Sequence, residues 1–383
     1  MSSAPGVPSE SAPASMPVVI VGAGPAGLAS AACLKHRGVD AVLLEAGPGV
    51  GSAWRQHYDR LHLHTAKQHS HLPGLPFPRQ LSRYPSRVEV VAYLEAYAAH
   101  FAIAPRTGEA VRRVHAGADG GLVVESVRAA YRARAVVIAA GYNRVPNPER
   151  LPEQERFRGP LIHSAGYRNA DAFVGQRVLV VGAGNTGAEI ALDLAEHGAR
   201  PTLAVRTPVN IVPRDFLGMP TQVTSIRMRK APLKLADGIG RLVSRLAFGN
   251  LARYGLARPE MGPLSAIKLR RRIPLIDVGT IGAIKRGEIA VKPAVERFTD
   301  TGALFADGSA GEFDAAILAT GFRPALQEVV DIPGVLDAEG YPRDWRGGGA
   351  RDDLFFVGYA NVATGLLREI AIQAQAVAEE IAK

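Results

Sequence analysis

Two stretches of the chain repeat one order of apolar and polar positions. The first, "PVVIVGAGPAGLASAACLKHRGVDAVLLE" (17–45), opens with an unbroken apolar run, breaks at glycines, resumes as a longer pattern of apolar and small residues, and closes with a second apolar run ending at Glu45. The second, "RVLVVGAGNTGAEIALDLAEHGARPTLAVR" (177–206), does the same and ends at Arg206. Short apolar runs bounded by turn residues mark strands buried on both faces. Each stretch therefore predicts strand, glycine turn, helix and strand. The run from Val18 to Leu34 approaches the length of a membrane span, but three glycines and Pro25 interrupt it. A buried strand plus helix explains it better.

Alternating runs come next, near 110–115, 121–127 and 130–138 in the first half and near 294–298, 303–307 and 312–319 in the second. They predict a small strand meander in each half. Each half ends in an apolar strand entering a small-residue turn, "VVIAAGY" (136–142) and "AAILATGF" (315–322). A repeat of this length is a duplicated domain. One last strand-turn-helix, "LFFVGYANVATGLLREIAIQAQAVAEEI", belongs to neither repeat, and the simplest topology returns it to the first domain. The expected fold is α/β, with two Rossmann-like dinucleotide-binding domains, the second inserted into the first. Residues 17–160 and 323–383 form one domain and 161–322 the other. Residues 215–275 are a helical excursion in which Leu235, Ile239, Leu242, Val243 and Leu246 recur at helical spacing. This helix is expected to cap the site between the domains rather than to meet a membrane. Residues 1–16, rich in Pro, Ser and Ala, are expected to be a disordered tail without the basic and apolar parts of a signal peptide.

Composition alters this picture little. The 383 residues are 47% apolar and 21% charged, enough for a large core. The single cysteine, Cys33, excludes a disulfide framework, a zinc knuckle and a redox pair, and fits a reducing, cytoplasmic compartment. The net charge of +9 raises nucleic acid or an anionic membrane as partners. No zinc finger, RNP-like run or heptad accompanies it, so an anionic cofactor and substrate account for it better. Neither nucleic acid nor membrane is expected as a partner; a homodimer stays open.

Gly22-x-Gly24-x-x-Gly27 comes after an apolar strand and opens a helix, with Pro25 and Ala26 in the first turn. Such glycines let the backbone turn tightly and approach a pyrophosphate at the helix N-terminus. Glu45, ending the next strand, can accept hydrogen bonds from ribose hydroxyls. Gly182-x-Gly184-x-x-Gly187 repeats the device with Asn185 and Thr186 inside it, but Arg206 fills the slot of Glu45. A guanidinium there suits a 2′-phosphate that an acid would repel. FAD in the first site and NADPH in the second is the natural pairing. Two bound dinucleotides imply electron transfer between them. With no cysteine pair, the electrons pass from flavin to dioxygen, a quinone or a diffusible acceptor.

The segment "HYDRLHLHTAKQHSH" holds His57, His62, His64, His69 and His71. No carboxylate or Cys cluster completes a metal site among them, and no metal is expected. Some of these rings are expected to line the flavin pocket, where an imidazole donates to a developing oxyanion. Phe157-x-Gly159-x-x-x-His163-x-x-x-Tyr167 lies just before the second fingerprint. No G-x-S-x-G elbow is present, which argues against hydrolase chemistry.

Together these residues resemble the class B flavin-dependent monooxygenases, and within them the YUCCA-type enzymes that act on indole-3-pyruvate. The Phe157–Tyr167 pattern and "LATGF" (318–322) are similar to identifying sequences of the class, and Tyr167 stands where Baeyer–Villiger relatives carry Trp-Pro. The longer runs "YDRLHLHTAKQ", "LPGLPFP", "YPSRVEVVAYLEAYAAHF" and "IPLIDVGTIGAIKRGEI" resemble the YUCCA type, as does His64, where animal-type enzymes carry Asn. The resemblance implies NADPH-dependent reduction of FAD and formation of a flavin peroxide with dioxygen. The peroxide then oxidatively decarboxylates an anionic aromatic α-keto acid, such as indole-3-pyruvate or phenylpyruvate, to the arylacetate. N- or S-oxygenation of a small amine or thioether, or flavin sensing without turnover, are the alternatives. The resemblance assigns Gly22, Gly24, Gly27, Glu45, Trp54, Arg55, His64, Val111, Ala140, Gly141 and Gly358 to the flavin side, with His64 catalytic. It assigns Gly182, Gly184, Asn185, Thr186, Gly187, Arg206 and Thr207 to NADPH. Ala140 replaces the usual Thr of the family, leaving the backbone turn intact.

Overall fold

The computed structural model describes residues 16–147, 149–360 and 362–383. The tail expected over 1–16 thus lies, Met16 apart, outside the described residues. The first apolar run is strand β1 (Val18–Val21), buried along its whole length. It enters helix α1 (Pro25–His36) and then β2 (Ala41–Leu44). β1 pairs in parallel with β2 on one side and with β3 (Ala135–Ile138) on the other. Between β2 and β3 lies an antiparallel meander, Val111–Ala116, Leu122–Ser126 and Ala130–Ala133.

The second half repeats this plan. Strands β4 (Leu161–His163) and β5 (Arg177–Val181) lead to helix α2 (Asn185–Glu196) and β6 (Arg200–Ala204). Helices α3 (Leu233–Phe248) and α4 (Pro263–Arg270) form the excursion. β7 (Ala290–Lys292) and β8 (Ala315–Leu318) complete a parallel sheet in the order β7-β6-β5-β8-β4. A second meander, Val295–Thr299, Gly302–Phe305 and Ala310–Glu312, sits between β7 and β8. The expected runs 130–138 and 312–319 are each two strands, one in a meander and one in a parallel sheet. The change comes where alternation gives way to four fully buried residues in β3 and β8.

The chain then returns. β9 (Leu354–Phe356) pairs with β3, giving the first sheet the order β2-β1-β3-β9. Helix α5 (Leu366–Ile381) packs along α1 in one core with it. Small residues at the contact, Ala29 and Ala32 on α1 and Ala374 and Ala378 on α5, let the two backbones approach.

The excursion departs from expectation. Leu233–Phe248 is a helix, but its inward face carries Ala236, Asp237, Ser244 and Phe248, while Leu235, Leu242 and Leu246 are exposed. The inward choice is set by Asp237. Its carboxylate accepts from the backbone N–H of Leu264 and Ser265 and from the Ser265 hydroxyl, capping α4. Periodicity identifies the helix but not which stripe faces in.

Candidate cofactor and active site

The two glycine turns have almost the same geometry. Gly22 has φ +102° and Gly182 φ +113°, a region that L side chains avoid. A Cβ on Gly27 would stand 1.8 Å from Gly22 O, and one on Gly187 would stand 1.9 Å from Gly182 O. Only glycine lets each helix start against its own turn. Gly24 and Gly184 are the N-caps of α1 and α2, with no side-chain cap and no acid in the first turn. The open N–H groups and the helix dipole therefore suit a phosphate at both ends. Space in front of Gly24 and Gly184 is clear to 4 Å. Both turns lie at the carboxyl ends of parallel strands, where ligands of such sheets bind. The Thr320 hydroxyl, just past β8, is buried with no partner among the described residues. These features fit two dinucleotides.

The strand after each turn ends in different surroundings, but Arg206 does not fill the slot of Glu45: Gly22 N–H donates to Leu44 O and Gly182 N–H to Ala204 O, so Val205 is the counterpart of Glu45 and Arg206 lies one residue further on. Glu45 is buried, and its carboxylate accepts from the N–H of Ala23 (2.7 Å) and of Gly47 (2.7 Å), directly behind the first turn. Arg206 and Thr207 are exposed just past β6, and the Arg206 guanidinium pairs with Glu149. Asn185 ties the second turn to the chain after α4: its amide donates to Pro274 O (3.2 Å) and accepts from Ile276 N (2.7 Å). Thr186 is half-buried beside it.

The other residues that the resemblance assigns to the flavin side partly gather. Gly358 has φ +91° and lies against Ala26 of the first turn, where an added Cβ would meet Ala26 Cβ at 3.3 Å. Ala140 and Gly141 form the turn after β3, beside the buried Tyr359 phenol, whose pKa burial pushes up. Val111 starts the first meander and pairs with Ser126; nearby, Glu109 N–H donates to Glu45 O (2.8 Å). Trp54 lies edge-on to His57 at 6.0 Å. Arg55 instead turns to the surface and pairs with Glu95.

His64 is held by a residue the sequence reading did not single out. Its Nε2 donates to Glu189 Oε1 (2.5 Å) on α2, the helix of the second turn. Glu189 is 3% exposed. The Tyr58 phenol lies beside it; burial, and then Glu189, push its pKa up. One helical turn on, Asp193 accepts from Tyr167 (2.7 Å), and Arg60 pairs with Glu196. α2 thus clamps the 58–64 loop and the crossing segment. Two acids one turn apart in an otherwise buried helix were the available signal. Gln222 was also missed. It accepts from Ala66 N (2.8 Å) and donates to Thr364 O (2.8 Å), joining the histidine-rich loop to the chain before α5.

The Phe157–Tyr167 pattern braces the crossing. A Cβ on Gly159 would stand 2.6 Å from Asp314 O. His163 Nδ1 accepts from Ala165 N–H (3.0 Å), which leaves Nε2 to donate to Gly321 O (3.2 Å). Burial lowers the His163 pKa, favouring this neutral ring. Cys33, in α1, has a thiol pushed up by burial to about 11 and is no redox nucleophile.

Residues 19–215 match the pyridine nucleotide-disulphide oxidoreductase family. The indole-3-pyruvate monooxygenase YUCCA1 of Oryza sativa subsp. japonica is 40% identical over 358 residues, 89% of this chain and 86% of the relative. The chain belongs to the YUCCA indole-3-pyruvate monooxygenase family. A mutant flavin monooxygenase of Stenotrophomonas maltophilia superposes with a TM-score of 0.74 at 26% identity, covering 96% of this chain and 98% of that one. A steroid monooxygenase bound to NADP shares the fold, with a TM-score of 0.73 at 20% identity over 95% of this chain and 84% of that one. This YUCCA-family chain is a monooxygenase that uses FAD, NADPH, dioxygen and a small-molecule substrate. Among the described residues no helix is long and apolar enough to cross a membrane.

Proposed function

We propose that this chain converts an anionic aryl-α-keto acid, such as indole-3-pyruvate or phenylpyruvate, to the arylacetate and carbon dioxide. The observation that carries this reading is the duplicated, uncapped glycine turn, backed by buried Glu45 in one copy and followed by exposed Arg206 in the other. It supports FAD on residues 17–160 and 323–383, and NADPH on 161–322. The substrate class rests on the similarity to the rice relative. Bound FAD supplies the redox chemistry that joins NADPH to dioxygen.

The chain's own residues do the rest. Gly22, Gly24, Pro25, Ala26 and Gly27 hold the FAD pyrophosphate at α1, while Glu45 receives the ribose hydroxyls. Gly182, Gly184 and Gly187 hold the NADPH pyrophosphate at α2, and Arg206 with Thr207 takes the 2′-phosphate. His64 is the catalytic side chain: Glu189 fixes Nε2 and leaves Nδ1 for the reactants. Tyr58 and Tyr167, both buried, help keep water from this junction. The single, unreactive cysteine supports a reducing, cytoplasmic setting.

The test is product analysis. Purified protein given FAD, NADPH, air and phenylpyruvate or indole-3-pyruvate should form arylacetate and carbon dioxide in equal amounts. NADPH consumed with the keto acid intact, or oxygenation of an amine or thioether alone, would overturn the reading.

A further inference from the structure

Helix α3 exposes a stripe that the cofactor and substrate sites leave unused. Leu235, Leu242 and Leu246 are 56%, 55% and 67% exposed and recur at the spacing of one helical face. Each is directly preceded by an exposed cation: Lys234, Arg241 and Arg245. Successive helical residues are about 100° apart, so the cations line one flank of the leucine stripe. The single acid of the helix, Asp237, is turned inward to cap α4. Among the described residues none of these three cations is held in an ion pair. On the adjoining α4, Leu269 is 63% exposed between exposed Lys268 and Arg270.

The charge of the chain is concentrated here. Residues 215–275 hold twelve Lys and Arg against three acids, an excess equal to the +9 of the whole chain. An outward face with leucines beside cations and no acid is the composition of a helix lying in a membrane interface. The leucines enter the boundary of the acyl chains while the cations meet anionic headgroups. Nucleic acid would satisfy the cations but leave the leucines in water. A second copy of this chain would set one basic face against another.

We propose that α3 is a peripheral docking face for an anionic lipid bilayer. The helix lies along the surface and does not span it; such a bilayer is a partner that the sequence alone did not lead us to expect. The proposal is independent of the substrate reading.

The experiment is co-sedimentation of the full-length, FAD-loaded protein with vesicles of phosphatidylcholine, with and without about 30% phosphatidylglycerol. Binding should require the anionic lipid and weaken in about 0.5 M salt. Leu235→Ser/Leu242→Ser/Leu246→Ser should lower the vesicle partition coefficient by about tenfold or more. Arg241→Glu/Arg245→Glu should lower it comparably. NADPH oxidation should stay at the wild-type rate in the leucine variant, separating lost docking from lost folding. Failure to sediment with anionic vesicles would overturn the proposal. So would unchanged binding by the leucine variant, which would mean charge alone acts. A solution dimer that the leucine variant splits would also overturn it, assigning the stripe to a second copy.

Discussion

Replacing Arg206 with Glu should reverse the chain's preference for NADPH over NADH. Arg206 is 68% exposed and shares its guanidinium with Glu149. A hydrogen bond to a charged group contributes about 1.5–3 kcal/mol, and exposure puts this one at the low end, because water and salt screen it. Losing about 1.5 kcal/mol in Arg206→Ala corresponds to roughly a tenfold rise in the NADPH KM. Arg206→Glu adds a second carboxylate next to Glu149, facing the 2′-phosphate. Repulsion of similar size brings the rise to about a hundredfold. NADH carries no 2′-phosphate, so its KM should move by less than about threefold. Glu149→Gln probes the same contact from the other side: with its protein partner removed, Arg206 should lower the NADPH KM about twofold and leave NADH unchanged. The assay is initial-rate oxidation of each nicotinamide at saturating dioxygen and keto acid. Equal shifts for both would refute the assignment of Arg206 to the phosphate.

Glu189→Ala leaves His64 and Tyr58 facing a vacated carboxylate site; the unfolding midpoint should fall by the equivalent of about 2–4 kcal/mol, with arylacetate formation depressed more than FAD content. Unchanged turnover would remove Glu189 from any role in positioning His64. Gly27→Ala forces a Cβ to within 1.8 Å of Gly22 O, so the purified variant should lose FAD on gel filtration; retention at the wild-type level would contradict the close approach. Hydrogen bonds from Arg177 hold Asp314 down to about 2, below its ordinary 3.8. Its stabilising contribution is therefore present above the ordinary value and lost as pH falls through the depressed one. Urea midpoints should drop less steeply over that window in Asp314→Asn than in the natural chain, and parallel slopes would argue against the pairing.

The two strand–turn–helix–strand units and their glycine turns were legible because they rest on local chemistry. Glycine spacing after a fully apolar run dictates the turn, but counting along the next strand placed Arg206 one residue off, because the register sets Val205, not Arg206, in the position of Glu45. The return of Leu354–Phe356 to the first sheet was implied by its lack of a partner in either repeat. The 58–64 clamp was not legible. His64 and Glu189 are 125 positions apart and meet only because α2 crosses that loop. The outward face of α3 was misread for a related reason. Leucine spacing looks the same whether the stripe faces in or out, and the deciding contact, Asp237 with the start of α4, is tertiary.

The measurement closest to the central claim is the visible spectrum of the purified protein during anaerobic titration with NADPH, and then on admission of air. The account predicts one bound FAD per chain, bleached by NADPH at far lower concentration than by NADH, with the colour restored by dioxygen. A colourless protein that takes up no FAD, or a flavin that NADPH leaves oxidised, would contradict it.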